Sequence, residues 1–115
     1  MKPTLLSVFV SLATLSASMH AQACKCVGPS SYDAVFEGRV VRMAKAPGQA
    51  EPLTEVEFLV SRSVTGSVTE RTVVFTPVPV LLCGVPFKAG QRYLVRAALV
   101  GRRLETLDCY GTKKL

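Results

Sequence analysis

The chain has 115 residues, four cysteines, no tryptophan and a formal net charge of +6. Its Lys and Arg are scattered, aromatics are few, and no apolar run is long enough to span a bilayer; nucleic-acid binding and a transmembrane segment are therefore not expected. The single histidine, His20, precedes a signal-cleavage pattern, so the mature chain lacks the commonest general base and zinc ligand.

Residues 1–23 read as an export signal: Lys2 is the basic start, Leu5 to Leu15 the apolar centre, and Ser16 to Ala23 the polar end. Signal peptidases cut after small-residue patterns such as Ala21-Gln22-Ala23. Cleavage there leaves residues 24–115 as one small domain and makes Cys24 its first residue. The expected location is secreted, extracellular or periplasmic. Lipid anchoring at Cys24 is the competing reading. It is disfavoured by Ala21 at the position usually held by Leu and by the bulky Gln22.

Gly28-Pro29 bars a helix through Cys24 to Pro29. Ser30-Ser31-Tyr32-Asp33 predicts one short helix near residues 30–35, with Ser30 as N-cap and Asp33 in the capping-box position. A strand follows at 34–42, with Ala34, Phe36 and Val40 on one face and Gly38 marking a bulge or bend. Ala44 to Pro52 reads as a loop. Residues 54–62 alternate, with Val56, Phe58 and Val60 turned one way and Glu55, Glu57 and Leu59 the other.

Residues 71–76 form a third strand. Pro77 to Leu82, with prolines at 77 and 79, reads as an extended unpaired segment running into Cys83. It is either a buried lid or an exposed binding edge. Cys83 to Phe87 is irregular, and residues 92–99 form a fourth strand with Tyr93, Val95 and Ala97 on one face. A fifth strand is expected at 104–109, and Tyr110 to Leu115 as a polar tail. Tyr32 and Tyr93 read as core or barrel-wall residues. The fold class is all-β, and five short strands in a domain this small suggest a closed or nearly closed barrel.

Four cysteines in a small exported domain favour two disulfides. A Cys24–Cys26 bridge is sterically poor, which leaves two long-loop pairings that spacing does not separate. With both bridges formed no thiol remains, and the eight acids show no spacing that converges two of them; an enzyme is not expected, nor a cofactor. A disulfide at an N-terminal Cys24 would hold its amine and carbonyl still, as a bidentate metal chelator.

Taken together, Cys24-Lys25-Cys26-Val27, Asp33 to Val40, Leu82-Cys83-Gly84-Val85, Gly90-Gln91-Arg92-Tyr93-Leu94-Val95 and Thr106 to Cys109 resemble the netrin-like module. Within that group the chain is most similar to the N-terminal domain of the tissue inhibitors of metalloproteinases. The resemblance implies a five-stranded OB-fold-like barrel with disulfides Cys24–Cys83 and Cys26–Cys109; a monomer is expected. It also implies a function: the Cys24 amine and carbonyl chelate the zinc of a target metalloprotease, at the position otherwise open to water. Lys25 would then enter the main specificity pocket, Cys26 and Val27 the next subsites, and Val80, Leu81 and Leu82 the flanking edge. Lys25 stands where the family has a small or hydroxylated side chain, and an unpaired buried ammonium is costly. The alternative function is a secreted or periplasmic netrin-like binding module that inhibits no protease.

Overall fold

The structure, a computed structural model, describes residues 28–48, 52–78 and 83–115. Six strands account for most of them: β1 (Ala34–Lys45), β2 (Leu53–Thr65), β3 (Arg71–Pro77), β4 (Arg92–Val100), β5 (Arg103–Glu105) and β6 (Lys113–Lys114). β1 pairs antiparallel with β2, and its first half also pairs with β4, from Ala34↔Ala97 to Arg39↔Arg92. β2 pairs with β3, β3 with β5 in parallel, and β5 with β4. The order β1–β2–β3–β5–β4 thus returns to β1 as a ring of five strands.

β1 can serve two neighbours because it bends. Its register against β2 shifts at Val35/Phe36, Glu37/Gly38 and Val40/Arg42, and bulges of this kind increase local twist and curl a sheet. Gly38 allows a close approach of β1 to β2: a Cβ there would lie 3.0 Å from the Leu59 carbonyl oxygen. The alternation predicted for the strands holds. Ala34, Phe36 and Val40 of β1, Val56 and Phe58 of β2, and Tyr93, Val95 and Ala97 of β4 all turn into the core. Val60 is half-buried and packs against it. Fully burying a side chain such as Val or Phe is worth roughly 1.5–3 kcal/mol, so this inner face supplies most of the driving force.

Phe87 was not foreseen as core. It arrives from the irregular segment after Cys83 and joins an edge-to-face series of rings: Phe36–Phe58 at 5.4 Å, Phe58–Phe87 at 5.2 Å and Phe87–Tyr93 at 4.8 Å. The buried Tyr93 hydroxyl accepts the Lys88 N–H at 2.9 Å, so its polar end is satisfied. Tyr32 is half-buried and its ring packs at a tilt against Tyr110 rather than joining this core.

The predicted helix at 30–35 does not form, and there is no α-helix among the described residues. Asp33 does not cap a helix. Its N–H donates to the Ala97 carbonyl at 3.0 Å, and its carboxylate accepts the Leu99 N–H at 2.7 Å. Sheet pairing with β4 has therefore claimed the backbone before a helical turn can close, and the Val/Phe-rich run that follows favours strand.

The fifth strand is also shorter than predicted. β5 ends at Glu105, and Asp108–Tyr110 is a 3-10 turn. The supposed polar tail supplies β6, paired with β4 at Tyr93↔Lys114 and Leu94↔Lys113. At the other boundaries, Ala44 and Lys45 belong to β1 rather than to a loop, and Pro77 closes β3 opposite Leu53. No helix among the described residues is long and apolar enough to cross a membrane.

Candidate functional site

Cys83 and Cys109 are both disulfide-bonded, and no free cysteine occurs among the described residues. The pairings Cys24–Cys83 and Cys26–Cys109 involve residues outside the described ones. So do the predicted protease-contacting residues Cys24, Lys25, Cys26, Val27, Val80, Leu81 and Leu82, and the signal at 1–23. What the structure does describe is the platform on which Cys83 and Cys109 stand.

Cys83 has φ 64°, the left-handed region that a residue with a Cβ enters at a cost of about 1–2 kcal/mol. Three contacts hold it there. Its carbonyl accepts the Asp108 N–H at 2.9 Å, which ties it to the residue just before Cys109. Gly84 lies against the end of β3, where a Cβ would fall 1.7 Å from the Pro77 carbonyl oxygen. The Val85 N–H donates at 2.9 Å to the Thr76 hydroxyl, which itself donates to the Thr106 carbonyl at 2.8 Å. One buried threonine of β3 therefore anchors both cysteine-bearing segments.

Cys109 sits in the 3-10 turn between β5 and β6, and both of those strands pair with β4. Between them no strand covers Arg96 on that edge. Its N–H donates instead to the Thr112 hydroxyl at 2.8 Å, and its carbonyl accepts from the Thr106 hydroxyl at 2.7 Å. The two hydroxyls are hydrogen-bonded to each other at 2.8 Å. A pair of side chains thus replaces one rung of a sheet and leaves the Cys109 turn free to bulge outward.

The segment from Gly28 to Asp33, which leads into β1, runs past the same place. The Tyr32 and Tyr110 rings meet at a tilt, 5.3 Å apart, and Gly28 lies against them, where a Cβ would be 3.1 Å from the Tyr32 hydroxyl. Burial of the Tyr110 phenol, with the nearby Tyr32 and Glu105, pushes its pKa above the ordinary tyrosine value.

No cluster of three or more His, Cys, Asp or Glu among the described residues could hold a metal ion. This end is a braced platform: disulfide-bonded cysteines on hydrogen-bonded backbone, with a cleft of about 250 Å³ opening beside them at Val85, Tyr93 and Asp108. Sequence reading singled out Cys83 and Cys109 and placed Gly84 and Thr106 in the motifs around them, but gave no bracing role to these two or to Thr76, Asp108 and Thr112. Their roles depend on contacts between distant segments and leave no local pattern. Comparison with known families finds no family model that matches the chain, and comparison with curated proteins finds no match either.

Proposed function

We propose that the chain is an exported zinc-metalloprotease inhibitor that acts through a free N-terminal Cys24. The observation that carries this reading is the Asp108 N–H to Cys83 carbonyl hydrogen bond, which sets two disulfide-bonded cysteines side by side on one braced end. Paired as Cys24–Cys83 and Cys26–Cys109, they would clamp a Cys-Lys-Cys start. Gly28, beside Tyr110 at the Cys109 turn, is where such a start would have to run. Cys24 then presents its α-amine and carbonyl to the protease zinc, Lys25 enters the specificity pocket, and Cys26, Val27 and Val80 to Leu82 line the cleft. The ring of five strands with one parallel closure supports an OB-fold-like barrel of the netrin-like kind.

An inhibition assay of three forms against a panel of zinc proteases tests the proposal: authentic, extended by one alanine before Cys24, and acetylated on the Cys24 amine. Only the authentic form should inhibit, and less well in acid, because an α-amine titrating near pH ~8 must lose its proton to bind the metal. Equal potency of all three overturns chelation. Inactivity of the authentic form across the panel favours the alternative, a netrin-like binding module without protease inhibition.

A further inference from the structure

We infer that the cleft beside Cys83 and Cys109 binds an acidic, extended segment of a partner protein, seating its apolar side chains between lysines. The cations among the described residues divide into two sets. Arg42, Arg62, Arg71, Arg92 and Arg103 are ion-paired to glutamates, and Arg39 and Arg96 donate to the carbonyls of Gly90 and Gly111. Lys45, Lys88, Arg102, Lys113 and Lys114 make no ion pair among the described residues, and three of these five cations line the same cleft. Lysine on an edge strand also discourages unwanted pairing, which would account for Lys113 and Lys114 of β6. It does not account for Lys88, which comes from a different segment.

The shape selects among anions. Buried Val85 and Tyr93 floor the cleft and exposed Pro86 walls it, so the lysine rim surrounds an apolar seat. A purely anionic polymer would leave that seat unused. The volume, about 250 Å³, falls below the roughly 300–1,000 Å³ that encloses a small molecule, and suits side chains of a longer segment. β6 ends the sheet order, so an extended peptide can lie along its edge. Asp108, the single acid on the lining, offers an acceptor for a main-chain N–H. The second cleft, between Arg39, Ser61, Glu70 and Arg92, has its guanidiniums already engaged within the molecule. The inference stands whether or not the chain inhibits a protease.

The test uses the exported protein and a capped, fluorescein-labelled peptide alternating Glu and Leu, with binding followed by anisotropy. Saturable binding is expected, weakened about tenfold by Lys88→Glu and by the double change Lys113→Glu with Lys114→Glu, and less than about twofold by Lys45→Glu. Replacing each Leu of the peptide by Gln, at the same charge, should weaken binding about fivefold or more. Four results would each overturn the inference. They are absence of saturable binding, equal loss in Lys45→Glu, equal affinity for the Gln peptide, and binding of heparin without binding of the Glu/Leu peptide. Circular dichroism of each variant guards against loss of fold.

Discussion

At the scale of single residues, the platform rests on tolerances that admit no extra atom. Gly84 faces a backbone carbonyl rather than a flexible side chain, so a Cβ cannot be absorbed by a rotamer change. Gly84→Ala should cost about 3 kcal/mol, the upper end for overpacking, read as a lower denaturant midpoint with unchanged slope. A cost below about 0.5 kcal/mol would mean that the Cys83 segment does not sit on Pro77 as described. Tyr110 gives a second readout. Its folded pKa is raised above the unfolded value, chiefly by burial. The stability it contributes is therefore complete below the unfolded pKa and lost as pH rises through the folded one. Following its ring resonances by NMR in alkali should place its titration above that of a free tyrosine. Titration at or below the ordinary value would contradict the packing of the Tyr32–Tyr110 pair.

At the scale of elements, the feature to test is the threonine pair that stands in for a strand. Thr112→Val removes the acceptor for the Arg96 N–H and should cost about 2 kcal/mol, whereas Thr112→Ser keeps the hydroxyl and should cost less than about 1 kcal/mol. Urea unfolding of both variants checks this, and equal losses would show that the methyl group, not the hydroxyl, matters. These elements also show what the sequence made legible. Period-two alternation in β1, β2 and β4 named their inward faces, because a strand with one buried face writes that pattern into its own residues. Ser30 to Asp33 misled, since an Asp three residues after a Ser serves a helix start and a sheet edge equally well until Leu99 and Ala97 are brought near. β6 and the core position of Phe87 were illegible for the same reason. Each depends on β4 or on facing rings, not on neighbours in sequence.

At the scale of the whole molecule, a ring of five strands presents one end where the β3-to-β4 connection, the Cys109 turn and the N-terminal approach meet. Cys83 and Cys109 could each be named from sequence as disulfide-bonded, but the network that holds them, centred on Thr76, could not. The proposed inhibitor mechanism requires this end to clamp an N-terminal cysteine with a free amine. Mass spectrometry of non-reduced proteolytic peptides from exported protein tests it most directly. The account predicts a chain that begins at Cys24 with an unmodified α-amine, Cys24 bonded to Cys83 and Cys26 bonded to Cys109. A Cys24–Cys109 bridge, a lipid or other group on the amine, or an uncleaved leader would contradict it.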